Sequence, residues 1–228
     1  MGQIRALIFD FDGVILESVE LKLQAAARLF PDHPERLSEA LQYWRDNVSL
    51  SRYVKLRHIY AHILHQPLTP REEADLGARF GADIARDYLS CPKVEGAVDL
   101  LEAYRGRCLM FVASGTPEDE LRDVVKAQGL AEYFDGVFGS PAAKPDICRA
   151  VLDRWDIDPA EAVMIGDAML DLEAARAVDI GFVGRAHTAP GVFEGQGVPV
   201  VRDLCELRGL LDDRVLSARP GATARATG

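Results

Sequence analysis

The chain has 228 residues, 48% of them apolar and 27% charged, a globular composition that excludes collagen-like, coiled-coil and wholly disordered classes. Acidic residues outnumber basic ones 36 to 26, for a formal charge of −10, which argues against tracking a nucleic-acid backbone through the net field. The longest apolar runs, such as 14–16 and 108–113, fall far short of the ~20 residues of a membrane span, and the opening Met1-Gly2-Gln3-Ile4-Arg5 carries no signal pattern. The expectation is a cytoplasmic protein whose partners include neither nucleic acid nor membrane.

In chain order, Ile4-Arg5-Ala6-Leu7-Ile8-Phe9 is an apolar run ending at Asp10 and reads as a buried strand. Helical spacing follows over 18–30, 34–46 and 50–65. Thr69-Pro70-Arg71-Glu72 combines a capping hydroxyl, a proline at the first helical position and a glutamate three residues after the cap, so a fourth helix is predicted over 70–89. After Cys91-Pro92 the pattern alternates: helix 95–104, strand 107–113, helix 117–128, strand 136–138, helix 145–155, strand 162–166, helix 169–178 and strand 180–184. A short edge strand at 198–201, where Pro199 is tolerated, and a helix at 203–211 complete it. Such alternation means a parallel α/β sheet. The predicted organisation is a core made of 1–16 and 90–212, an all-helical insertion at 17–89, and a disordered tail at 213–228. The four cysteines, Cys91, Cys108, Cys148 and Cys205, form no Cys-x-x-Cys pair and read as reduced thiols.

Four places carry chemistry. Asp10-Phe11-Asp12-Gly13 lies at the carboxyl end of the first strand, the edge where open α/β sheets bind ligands. Two carboxylates two residues apart need a counter-charge, which a hard cation such as Mg²⁺ supplies; a solvated turn is the competing reading. Ser114-Gly115-Thr116-Pro117 ends another strand, with backbone N–H groups at a helix start suited to an anion. Thr116 with Asp119 also reads as an ordinary helix cap. Lys144 opens a helix, although a lone lysine is more often surface charge. Gly166-Asp167 ends the fourth strand, and Asp171 follows four residues later on one face, with Lys144 as the candidate partner that relieves their repulsion.

In this order and strand context, the motifs resemble the haloacid dehalogenase (HAD) superfamily of aspartate-based phosphotransferases, over about residues 4–211. Asp10-Phe11-Asp12-Gly13-Val14 matches the first motif, Ser114 the second, Lys144 the third, and Gly166-Asp167 with Asp171 the fourth. The helical insertion looks like the family's helical cap, as in its phosphoglycolate-phosphatase-like branch. The resemblance implies a Rossmann-like parallel core and a Mg²⁺-dependent phosphatase acting on a small-molecule phosphate ester. Asp10 would be the nucleophile and Asp12 the acid and base. Mg²⁺ would be held by Asp10, the Asp12 carbonyl and Asp167. Phosphate would be bound by Ser114, Gly115 and Lys144, with Asp171 orienting Lys144 from behind. A sugar-phosphate mutase on the same residues, or a non-catalytic binding protein, are the rivals. Asp12 argues against dehalogenation, because the superfamily's dehalogenases lack it. Ala168, and Asp146 after Lys144-Pro145, depart from common phosphoglycolate phosphatase patterns and leave the substrate open.

In the helical insertion, His58, His62 and His65 share a helix face and read as packing residues, with a metal site as the alternative. Arg52 and Lys55 read as a solvated helix face, the alternative being that they reach over the site. Tyr43 and Trp44 read as core of the insertion, Met164 and Met169 as core beside the fourth motif.

Overall fold

A computed structural model describes residues 3–186 and 191–215. Among these residues six strands form one parallel sheet in the order β3-β2-β1-β4-β5-β6. They are β1 (Ala6–Phe9), β2 (Leu109–Pro117), β3 (Gly136–Ser140), β4 (Ala162–Gly166), β5 (Gly181–Arg185) and β6 (Val200–Val201). This is the doubly wound order in which ligands sit beyond the carboxyl ends of the strands.

The apolar run of β1 is buried on both faces, as a central parallel strand requires. Leu7 and Phe9 join the core under helices α5 (Ala97–Tyr104), α6 (Glu118–Ala127) and α9 (Leu204–Leu211). Ala6 and Ile8 face α7 (Lys144–Trp155) and α8 (Met169–Arg176) on the other side. The edge strand tolerates Pro199 because its carbonyl, which needs no N–H, accepts from Gly184 N at 2.9 Å.

Between β1 and α5 the elements among the described residues are all helical: α1 (Val19–Ala27), α2 (Leu37–Asp46), α3 (Arg52–His58) and α4 (Pro70–Ser90). The capping box at Thr69 and Glu72 starts α4 as the sequence predicts. Three elements differ from expectation. The helix predicted at 34–46 starts at Leu37, because His33 N donates to Phe30 O and Arg36 N to His33 O, closing two successive four-residue turns instead. The helix predicted over 50–65 changes pitch at Ile59, where a π-helical turn of Ile59–Ile63 lets Leu64 N donate to Ile59 O. Strand β2 runs to Pro117 through a register shift after Ala113, so α6 starts at Glu118. The composition-based tail at 213–228 overlaps ordered chain: Val215 is buried, and Ile4 N donates to Arg214 O at 2.8 Å. The remainder, 216–228, lies outside the described residues. None of the described helices is long and apolar enough to cross a membrane.

Candidate active site

Register builds the site. Phe9 pairs with Val112 on one side and Ile165 on the other, so the next residues of three strands emerge at one edge. That brings Asp10, Ser114 and Asp167 together, and Asp10 N is tied to Ile165 O at 2.8 Å. Lys144, in the first turn of α7, places its ammonium 2.9 Å from Asp10 Oδ2 and against Asp171 Oδ1. Lys144 is buried with its partners and is not surface charge.

Carboxyl oxygens of Asp10, Asp167 and Asp171 lie within 4.8 Å of one another. Burial pushes the Asp10 carboxyl up to about 7, and the charges of Asp171 and Asp12 add to this against the opposing pull of Lys144. Burial, then Asp10 and Asp171, hold Asp167 well above the carboxylate range. Lys144 is desolvated too, yet its two carboxylates win and raise it. Asp171 is fully engaged: Oδ1 takes Lys144, while Oδ2 accepts from Ala168 N at 3.1 Å and Ser49 Oγ at 3.0 Å. Both oxygens of Asp167 are buried without a hydrogen-bond partner among the described residues. An all-oxygen cluster with two orphaned carboxylate atoms fits a hard divalent cation such as Mg²⁺. Gly13 leaves room for it: at φ +76° it lies so close to Asp167 that an added Cβ would sit 2.2 Å from Oδ2.

The Asp12 carboxylate turns elsewhere. The sequence suggests Asp10 and Asp12 sharing a cation between their carboxylates, but here the Asp12 side chain has its own counter-charge. Lys22, from α1, pairs with Oδ2; Ser18 Oγ donates to Oδ1 at 2.6 Å and Tyr88 OH at 2.7 Å. Thr116 Oγ1 lies 3.1 Å from Oδ2 and also accepts from Lys22 at 3.0 Å. The Thr116 hydroxyl is therefore no helix cap. Burial alone would raise Asp12, but Lys22 and the two hydroxyls outweigh it and hold it at about 2. Tyr88→Phe removes one donor to a buried carboxylate and should cost about 2 kcal/mol of stability, read by urea denaturation; an unchanged midpoint would dismiss that bond.

Ser114 and Gly115 line a small cavity with Asp10 and Asp12. Gly115 is needed for close approach, since an added Cβ would lie 2.5 Å from the carbonyl of Ser49. Sequence reasoning missed Ser18, Lys22, Ser49 and Tyr88, all from the helical segment or its hinge. Only the alternative reading of Arg52 and Lys55 pointed there. Both are buried, which corrects the solvated-face expectation: Arg52 pairs with Glu120 of α6, and Lys55 lines the cavity. The three histidines do not converge as ligands: the His58 ring stacks on Tyr43 at 3.9 Å, and among the described residues the candidate metal group holds carboxylates alone. Trp44 and Met164 are buried, while Tyr43 and Met169 pack at the margins of the cores. All four cysteines are free.

The fructose-1-phosphate phosphatase YqaB of Escherichia coli is 26% identical over 188 residues, covering 78% of this chain and 94% of that protein. A phosphoglycolate phosphatase of Synechococcus elongatus is 26% identical over 182 residues, covering 78% of this chain and 81% of its own length. A crystal structure of β-phosphoglucomutase from Clostridium difficile shares the fold at a TM-score of 0.76 and 17% identity, covering 92% of this chain and 96% of that one. Residues 4–179 match the haloacid dehalogenase-like hydrolase family model, and the protein belongs to that family.

Proposed function

We propose that the protein is a phosphatase that hydrolyses a small phosphomonoester through a phosphorylated Asp10. The observation that carries this reading is the convergence of Asp10, Lys144 and the unpartnered Asp167 carboxylate at one strand edge. The named activities of the two relatives, both phosphatases of small phosphate esters, support it.

The Asp10 carboxylate attacks phosphorus and the ester oxygen leaves, so one difficult displacement becomes two easier ones. Asp12 gives the leaving oxygen its proton, then takes a proton from the water that attacks the acyl phosphate; inorganic phosphate leaves and Asp10 is restored. Lys22, Ser18 and Tyr88 hold Asp12 as the carboxylate that the second step needs. The first step needs Asp12 to carry a proton, so its pair with Lys22 has to yield when substrate enters. Lys144, kept in place by Asp171, neutralises the transferring group beside Ser114 and the Gly115 N–H. Asp10, Asp167 and the Asp12 carbonyl would hold Mg²⁺, whose chemistry here is charge neutralisation on the phosphoryl oxygens. The segment α1–α4 acts as a cap, closing on the site through Ser49.

Phosphate release is to be measured across sugar phosphates, phosphoglycolate, nucleotides and aryl phosphates, with Mg²⁺ and with chelator. Stoichiometric release that needs Mg²⁺ is expected. Isomerised sugar phosphate without free phosphate would assign a mutase, and silence across the panel would overturn both.

A further inference from the structure

The cavity above Asp10 and Asp12 is roofed by Trp44, Arg52, Lys55 and Phe80, and its water-accessible space is about 20 Å³, room for about one water. Three cations face it, and two are neutralised within the protein. Lys22 pairs with Asp12, while Arg52 pairs with Glu120 and donates to Gly77 O at 2.8 Å. Lys55 is different. It is 3% exposed, its ammonium donates to the Val48 carbonyl at 3.3 Å and lies 4.8 Å from the Trp44 ring centre, and among the described residues no carboxylate forms an ion pair with it. Burial, then Lys22, depress it well below the ordinary lysine range; Arg52 adds to this, while Asp12 and Asp10 oppose it from beyond ion-pair distance. An ammonium taken out of water with no ion-pair partner is destabilising, and an apolar side chain would cover Trp44 at lower cost. Its position on the roof, facing the catalytic carboxylates, is where the alcohol part of a phosphate ester would sit.

We infer that Lys55 is the recognition residue for a second anionic group on the substrate, so that the preferred ester is one whose alcohol bears a carboxylate or another phosphate. This rests on the phosphatase reading. A second anion brings a counter-charge at contact distance, and the closed roof then desolvates the new pair, where charge complementarity discriminates most strongly. Arg52 is excluded from this role by Glu120, which already occupies its guanidinium.

The test compares kcat/KM within matched pairs: phosphoglycolate against ethyl phosphate for the carboxylate, and a hexose 1,6-bisphosphate against the hexose 1-phosphate for the second phosphate. The wild type is expected to favour the doubly anionic member of at least one pair by about tenfold or more. In Lys55→Met, and in Lys55→Gln as a second variant, that ratio should fall to about one. A packing defect would lower both members and leave the ratio standing, which overturns the inference, as would a wild type with no preference. Collapse of the ratio in Arg52→Met but not Lys55→Met would move the role to Arg52 and also overturn it. Binding of 3-phosphonopropionate against propylphosphonate, measured by calorimetry, reads the same preference without turnover. If no ester is hydrolysed, the phosphatase reading falls while this binding ratio still decides the role of Lys55.

Discussion

Asp10→Asn should release phosphate at least roughly 10⁴-fold more slowly than the wild type, about 5 kcal/mol of transition-state stabilisation at about 1.4 kcal/mol per decade. The amide keeps an oxygen for the Phe11 N–H, which donates to Asp10 at 2.7 Å, and Lys144 keeps Asp171 as its anion, so the fold should survive. What is lost is the nucleophile. Rapid quench with a ³²P-labelled ester provides the second readout: labelled protein appears early in the wild type and not in the variant. Near-normal turnover in Asp10→Asn would end the phosphoenzyme mechanism.

Asp167→Asn should have opposite effects on the metal-free and Mg²⁺-loaded protein. In chelator the wild type carries a buried carboxylate without a partner beside two more carboxylates. Removing that charge should raise stability above neutral pH by about 1–3 kcal/mol. The sign with pH follows from the raised carboxyls. Asp10 titrates near 7 in the folded protein against 3.8 unfolded, and Asp167 is raised as well. The folded state therefore holds more protons between those values, and chelated wild type loses stability as pH rises from about 4 through 7. Asp167→Asn should flatten that decline. Mg²⁺ at tenfold excess over its Kd stabilises the wild type by about 1.4 kcal/mol, more at higher pH because it displaces protons, and should leave the variant unmoved. Thermal melts at pH 5 and 8, with and without Mg²⁺, measure all of this; equal Mg²⁺ shifts in both proteins would remove Asp167 from the metal set.

The residues of the sheet edge were legible because the ends of apolar runs announce themselves. Apolar runs stop at Asp10, Ser114 and Gly166, and a parallel sheet must bring those stops to one side. Lys144 and Asp171 follow because each sits in the first turn of the next helix. The residues contributed from α1–α4 were not legible. Ser49 meets Asp171 across 122 positions, and Tyr88 meets Asp12 across 76; one depends on where the turn between α2 and α3 is set over the sheet and the other on how α4 is rotated, which local spacing does not encode. Arg52 and Lys55 look like a charged outer face for the same reason. Their burial is a property of the assembled pair of layers. The π-helical turn and the extended β2 were lost to local pattern too, since a change of pitch or a register shift leaves the apolar content unaltered.

Strand β1 is made first and sits in the middle of the sheet, between β2 and β4. A chain emerging from the ribosome can therefore pack α1–α4 early, but β1 keeps an open edge until residues 162–166 arrive to form β4. The same stretch of synthesis delivers Asp167, and Asp171 follows within one helical turn. Covering of the open edge of β1 and completion of the charge cluster are thus one event in the life of the chain, and a shortened chain ending before 162 lacks both.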